Sequence, residues 1–276
     1  MAELPEVDAV ARSLRPFVHG QKILRCRVIH QIAVRPGTGR GAKKAAELLE
    51  RTARGAKIRE VSRRGEYLLL LLDRGEKVMH FHLDGQCLWF DSRKISRHVD
   101  VALEFRRGTL GFADRRHFRR VNWVESPAEI RGIRTLGLEP FSEAFSLKAL
   151  AERLCASRLP LKLFLLDQAK IAGLGNIYSN EAMWLARLYP RRPARGISAS
   201  EARRLHKAIV RVLRRALECC LHPAPDFRDV NWWFQGLERI VNVYGREGRS
   251  CRRCGQRIRR VEQGGRSTYF CAHCQK

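Results

Sequence analysis

Two Cys-x-x-Cys pairs, Cys251-Arg-Arg-Cys254 and Cys271-Ala-His-Cys274, lie at the end of the chain with sixteen residues between them. Four thiolates at that separation close tetrahedrally on one zinc ion, so this stretch must fold back on itself as a hairpin pinned by metal. The intervening segment carries Arg257, Arg259, Arg260 and Arg266, followed by Tyr269 and Phe270. A metal-braced hairpin studded with cations suits the phosphate backbone of nucleic acid. A zinc ribbon that only staples the C-terminal stretch is the plainer alternative.

The charge of the whole chain points the same way. Lys and Arg number 54 against 28 Asp and Glu, a formal net charge of +26 over 276 residues. Such an excess repels itself and attracts polyanions at long range, and nucleic acid is the expected one. No stretch has the roughly 18 consecutive apolar residues of a spanning helix, so no membrane partner is expected. Met-Ala-Glu-Leu-Pro-Glu has no basic stretch followed by an apolar one, which argues against a secretory leader. Of nine cysteines, four belong to the metal pattern; Cys26, Cys87, Cys155, Cys219 and Cys220 remain. An odd number, two of them adjacent, argues against a disulfide framework and for a reducing cytoplasm.

The periodicity divides the chain. Val7, Val10, Ala11, Leu14 and Val18 recur at helical spacing behind Pro5, with Gly20 as the stop. Short β-like runs follow at 23–29, 58–61, 67–72, 78–83, 99–105, 109–113 and 121–124, with a helix expected inside the Ala/Gly-rich stretch 37–55. Closely spaced strands predict a β-sandwich or barrel rather than a βαβ sheet. From Pro127 the pattern is helical, at 142–155, 160–166, 176–185 and 198–221, the last opened by the capping box Ser198-Ala-Ser-Glu201. The class expected is therefore multidomain α+β. It comprises an N-terminal β-sandwich domain with a leading helix (1–130), a helical domain (131–244) and a four-cysteine zinc-finger hairpin (245–276).

Several constellations carry chemistry. Removal of Met1 before the small Ala2 exposes an α-amine whose pKa is roughly 7.7–8.0, partly neutral and nucleophilic at physiological pH. Amines attack carbonyl-like carbons to form Schiff bases, and Glu3 and Glu6 lie beside it as acid–base partners. An ordinary helix start with acids against its dipole explains the same residues. In Leu166-Asp-Gln-Ala-Lys-Ile-Ala-Gly-Leu-Gly-Asn-Ile-Tyr178 a glycine-bearing turn joins two helices. The second opens at Asn176, where unpaired N–H groups suit a phosphate, with Lys162 available nearby. A plain helical hairpin wants the same glycines. Leu83-Asp-Gly85 and Asp114-Arg-Arg-His-Phe118 sit at strand ends, where an arginine and apolar side chains fill the space left by an everted nucleotide. Trp232-Trp-Phe234 either stacks on a base or fills a core.

Taken in order, these segments resemble formamidopyrimidine-DNA glycosylase and its relative endonuclease VIII. The resemblance runs from Glu3-Leu-Pro-Glu-Val7 through Leu136-Gly-Leu-Glu-Pro140, Gly173-Leu-Gly-Asn-Ile-Tyr178 and Val243-Tyr-Gly-Arg246 to the ribbon with Gly265-Arg266. It implies a β-sandwich, a helix–two-turn–helix domain and a zinc finger holding one structural Zn2+, with damaged or abasic double-stranded DNA as partner. It implies excision of oxidised bases; a monomer is expected, because a wrapped duplex leaves little need for a partner subunit, in the cytoplasm at the nucleoid. An N-terminal amine attacks the deoxyribose C1′, the base leaves, and elimination nicks the strand. Under the resemblance Ala2 takes the nucleophile's place, Glu3 matches the catalytic acid and Glu6 a supporting one. Lys162, Asn176 and Arg266 match phosphate-gripping positions, with His80 and Tyr244 as further DNA contacts. Leu83, Arg116 and Phe118 match the wedge in the vacated stack, and Cys251, Cys254, Cys271 and Cys274 the zinc ligands.

Two departures stand out. The family's nucleophile is a proline directly after Met1, where this chain has Ala2. In Arg63-Arg-Gly-Glu66 a glutamate stands where formamidopyrimidine-type members carry lysine. A like-charge pair with phosphate at 4 Å costs roughly 4 kcal/mol at an effective dielectric of 20, so either DNA runs differently there or Glu66 points away. Three readings follow: a glycosylase with lyase activity, a damaged-DNA binder that has lost the chemistry, and a zinc-ribbon protein acting on RNA. The first requires the Ala2 nitrogen to be open to the DNA strand.

Overall fold

The computed structural model describes residues 2–34, 41–73, 78–82, 86–92, 95, 98–113, 121–124, 126–221 and 237–276. Among these the chain forms two compact units. One holds Ala2 and the stretch from Glu6 to Arg134; the other holds Glu3–Pro5, Thr135–Cys219 and the C-terminal stretch ending at Lys276.

Helix α1 (Leu4–Val18), which belongs to the first unit from Glu6 onward, buries Val7, Val10, Ala11, Leu14 and Val18 as their spacing predicts. Pro16 sits in its last turn and Gly20, at φ +74°, follows its end. Helix α2 (Ala42–Ala53) buries Ala45, Ala46, Leu49 and Ala53, and its Glu50 carboxylate accepts the Val28 N–H at 2.7 Å.

Two four-stranded antiparallel sheets carry the rest. One has the order β1 (Arg25–Val28), β6 (Val101–Phe105), β7 (Gly108–Ala113), β5 (Gln86–Phe90). The other has the order β2 (Ile58–Arg64), β3 (Tyr67–Leu72), β4 (Val78–His82), β8 (Val121–Val124). This is the expected sandwich class. Strand β5 lies outside the β-like runs of the sequence because Cys87-Leu-Trp-Phe is apolar on both faces and shows no alternation. Its Trp89 is buried between Phe17 and Phe105, with ring centroids at 5.1 and 6.1 Å.

The second unit is helical. Helix α4 (Leu147–Cys155) follows the short α3 (Arg131–Arg134) of the first unit. It begins later than its periodicity suggested, because the Ser146 hydroxyl accepts the Ala149 N–H at 3.1 Å and sets the cap there. Helices α5 (Leu161–Leu166), α6 (Asn176–Ala186), α7 (Ala199–Leu221) and the short α8 (Leu237–Ile240) follow. The Ser198–Glu201 capping box forms in both directions, at 2.9 and 3.3 Å. Leu161, Phe164, Leu165, Leu174, Ile177, Tyr178, Leu205, Ile209 and Leu213 build one continuous core between these helices. The hairpin β9 (Arg259–Gln263) and β10 (Arg266–Phe270) ends the unit. No helix among the described residues is long and apolar enough to cross a membrane.

Candidate active site and nucleic-acid interface

The turn between α5 and α6 is built by one side chain. Gln168 accepts the Gly173 N–H at 2.7 Å and donates to the Leu174 carbonyl at 3.0 Å, holding Gly173 at φ +73°. Leu136-Gly-Leu-Glu-Pro140 runs alongside: Gly137 donates to Gln168 O (2.8 Å), and Ala172 donates to Leu138 O (2.8 Å). A Cβ at Gly137 would collide with the Ala169 and Lys170 backbone, which is why that block needs glycine. The rigid turn then receives the N-terminal stretch, with Leu4 N–H bonded to Gly173 O at 2.9 Å.

This docking delivers Glu3 to the start of α6. Its carboxylate accepts N–H groups from Gly175 (2.8 Å), Ile177 (2.7 Å) and Tyr178 (3.3 Å), and only 2 % of the residue is exposed. A Cβ at Gly175 would overlap the Glu3 side chain. The sequence leaves these helix N–H groups open for a phosphate; the structure fills three of them with the protein's own carboxylate. The physical reason is tethering. An anion held covalently on the chain meets the helix terminus without the entropy cost of capturing a free one.

Lys162 lies beneath this turn, fully enclosed. Its ammonium donates to Ser179 Oγ at 2.7 Å and to Asn176 O at 3.2 Å. Burial drives its pKa down to about 7; Glu3 opposes that shift and Arg266 adds to it. Arg266 arrives from the hairpin turn, where Gly264 and Gly265 take φ +58° and +69°, and Gly264 rests on Leu163 of α5. Tyr244 stands beside Asn176 and Tyr269, with its ring 5.3 Å from the latter; burial pushes its phenol up. Glu3, Lys162, Asn176, Tyr244 and Arg266, scattered over most of the sequence, therefore share one site.

A prediction follows from Lys162. With its pKa brought down to about 7 by burial, Lys162 gives up its proton far more readily than an ordinary lysine, and a phosphate nearby favours the cation. Duplex binding should therefore take up a proton near pH 7 and weaken as pH rises from 6 to 8, by no more than about tenfold per pH unit for a single proton. Calorimetry in buffers of different ionisation enthalpy measures that uptake, and Lys162→Gln should abolish it.

Ala2 and Glu6 are buried, 6 % exposed each, in the full chain, where the Ala2 nitrogen is a peptide amide behind Met1. His80 lies on β4, and Leu83, Arg116, Phe118 and Trp232-Trp-Phe234 lie outside the described residues. Glu66, beside Gly65 (φ +56°) in the β2–β3 turn, is buried at 9 % exposure rather than offered to solvent. Neighbouring Arg63 is paired with Asp8 at 2.9 Å.

Residues that motif reading passed over hold the site together. Glu181, 2 % exposed, accepts N–H groups from Asn242 (backbone 2.8 Å, side chain 3.0 Å), Val243 (2.8 Å) and Tyr244 (2.9 Å). It pins the Val243-Tyr-Gly-Arg246 segment to α6. Asn180 accepts the Tyr269 N–H at 2.9 Å and so fixes the hairpin to the same helix. The only sequence signal for either is a polar residue on an otherwise apolar helix.

The four cysteines of the hairpin converge, with their sulfurs all within 4.8 Å of one another. Cys251 and Cys274 are 4.0 Å apart and Cys254 and Cys271 3.5 Å, near the roughly 3.8 Å that a tetrahedral ion with 2.3 Å Zn–S bonds demands. Burial disfavours a thiolate at Cys251, but N–H donors led by Arg253, with Trp184 next, outweigh it and bring its pKa to about 6. The donor set fits one structural zinc. Among the described residues the module's own core is small: Trp184, Val243, Ile258 and the cysteines, with Leu185 and Tyr269 packed against them and the Arg253 guanidinium 4.2 Å above the Trp184 ring. Chelation should therefore melt β9 and β10 while α7 stays folded, read as hydrogen exchange lost from the hairpin alone.

Comparison with known proteins matches this plan along the chain. Family models for the formamidopyrimidine-DNA glycosylase N-terminal domain, the formamidopyrimidine-DNA glycosylase H2TH domain and the zinc finger found in FPG and IleRS match residues 1–121, 136–221 and 250–276. The formamidopyrimidine-DNA glycosylase of Desulfitobacterium hafniense is 35 % identical over 100 % of both chains. That of Pelotomaculum thermopropionicum is 37 % identical over 100 % of this chain and 99 % of its own. Among solved structures, MutM (Fpg) of Thermus thermophilus superposes with a TM-score of 0.82 at 38 % identity, over 99 % of this chain and 98 % of its own. Lactococcus lactis Fpg in complex with abasic-site DNA superposes at 0.87 with 29 % identity, over 100 % of both. The chain belongs to the formamidopyrimidine-DNA glycosylase family.

Proposed function

We propose that this protein excises damaged, chiefly oxidised, bases from double-stranded DNA and then opens the strand at the abasic site. The observation that carries this reading is the Glu3 carboxylate, fixed by three backbone N–H groups among Lys162, Asn176, Tyr244 and Arg266 and joined by one peptide bond to Ala2. Once Met1 is removed, the Ala2 amine is the nucleophile. Its lone pair attacks C1′ of the everted nucleotide and the base departs with a proton from water; the proton shed by the amine passes to the Glu3 carboxylate, which hands it to O4′ as the sugar opens. The resulting Schiff base acidifies the C2′ proton, and β-elimination breaks the 3′ phosphate ester. Glu6 orients the amine; Asn176, Tyr244, Arg266 and His80 hold the flanking phosphates, with the enclosed Lys162 adding its charge from behind Asn176, and Leu83, Arg116 and Phe118 occupy the vacated stack. Cys251, Cys254, Cys271 and Cys274 hold the zinc, which when bound braces the hairpin that carries Arg266. The protein works as a monomer beside the nucleoid in the cytoplasm.

A second reading, binding without chemistry, is favoured by one observation: Ala2 is buried and replaces the family's proline. One experiment separates the two. Intact mass first establishes that Met1 is gone, and the protein is then incubated with abasic, 8-oxoguanine and oxidised-pyrimidine duplexes plus borohydride. A trapped covalent adduct, lost when the amine is acetylated, supports the enzyme. Tight binding with neither adduct nor released base leaves only the binder.

A further inference from the structure

Helix α7 presents a second cationic surface that the site above does not use. Arg203, Lys207, Arg211, Arg214 and Arg215 are all exposed and, at about 100° per residue, fall within an arc of roughly 120° that runs about 18 Å along the helix. None of the five makes a salt bridge among the described residues; the acids of α7 are Glu201, taken by Arg192, and Glu218, which is exposed within the same arc one turn beyond Arg214. The spacing sets like charges four residues apart, at 203 and 207, 207 and 211, and 211 and 215, where they repel one another. A polyanion laid along the face would relieve that repulsion.

The opposite face of the same helix fixes where this surface points. Leu205, Ala208, Ile209, Leu213 and Ala216 are buried against Leu161, Phe164 and Leu165 of α5 and Ile177 and Tyr178 of α6. The exposed arc is therefore turned away from that core; of its five cations, Arg211 and Arg215 also line a groove with Tyr178 and Glu181 of α6, the helix that follows the turn holding Glu3 and Lys162. A duplex segment gripped at that turn leaves at least Arg203, Lys207 and Arg214, which lie outside that groove, open to another.

We propose that the exposed face of α7 is a second, sequence-independent binding surface for duplex DNA, so that one molecule bridges two duplex segments. The chemistry is that of phosphate neutralisation: guanidinium and ammonium groups displacing condensed counterions, with no base readout. Its role would be to carry the protein from one segment to another without full release.

The test uses the full-length zinc-loaded protein and two undamaged 20-base-pair duplexes carrying donor and acceptor dyes. Wild type should bring the two together, seen as energy transfer. The variant K207Q/R211Q/R214Q, whose glutamines suit an exposed helix face, should keep the thermal melt and the affinity for a first duplex within about twofold. It should bind the second duplex at least about tenfold more weakly. The salt dependence of that second step should lose about 0.9 in log–log slope for each phosphate contact removed. R54Q/R106Q/R107Q removes the same charge from exposed positions elsewhere and should bridge like wild type. Bridging retained in the α7 variant overturns the proposal, as does an equal loss in the control. Loss of binding to anionic phosphatidylglycerol vesicles with duplex bridging intact also overturns it, and assigns the face to a lipid surface.

Discussion

The substitution Glu3→Gln is expected to cut base release and adduct formation by about 10²–10⁴-fold, the usual worth of a positioned acid–base group, while duplex binding survives. The change is not silent structurally. Two of the three N–H groups bonded to Glu3 share Oε2 and the third meets Oε1. An amide keeps one acceptor oxygen and turns an NH2 toward a donor, costing about 1–3 kcal/mol for each N–H left without a partner. Glu3 is also the group that opposes the fall in Lys162's pKa. The pH midpoint of proton uptake on DNA binding should therefore move below its wild-type position in Glu3→Gln. Base release, urea unfolding and that midpoint are separate measurements. A variant that lost activity with stability and midpoint unchanged would contradict the assignment of Glu3 to this helix terminus.

The largest stability effect is expected at Glu181. The substitution Glu181→Ala strips the acceptor from three backbone N–H groups and one side-chain amide around Asn242, Val243 and Tyr244. At about 1–3 kcal/mol per unsatisfied buried donor the loss is roughly 4 kcal/mol, a substantial share of a domain's net stability. Glu152→Ala, on the exposed face of α4, should change stability by no more than about 0.5 kcal/mol. Urea denaturation compares the two. The local consequence is specific: Tyr244 loses its hold beside Asn176, so DNA affinity should fall with stability even though Glu181 itself touches no ligand. An unchanged midpoint in Glu181→Ala would show that this carboxylate does not anchor the segment.

What was legible beforehand followed from rules local in sequence. The α1 stripe, the Ser198–Glu201 box and the cysteine spacing depend on residues a few positions apart, and each formed as its pattern implied. Strand β5 escaped because a strand buried on both faces has no period to detect, and the start of α4 moved because one serine hydroxyl outcompeted the apolar pattern. The resemblance to a known family supplied Glu3, Lys162, Asn176 and Arg266 as candidates, but not their arrangement.

The amino-acid sequence by itself determined the zinc module, the helical and β halves and the polyanion-seeking charge, because spacing and composition act over a few residues or over the whole chain. Only the tertiary structure decided that Glu3 is the anion at the start of α6, that Lys162 is enclosed, and that Glu181 anchors the Tyr244 segment. Each of those depends on groups between about 60 and 175 positions apart brought within hydrogen-bond reach, and desolvation, which sets their charge states, exists only once the chain has packed around them.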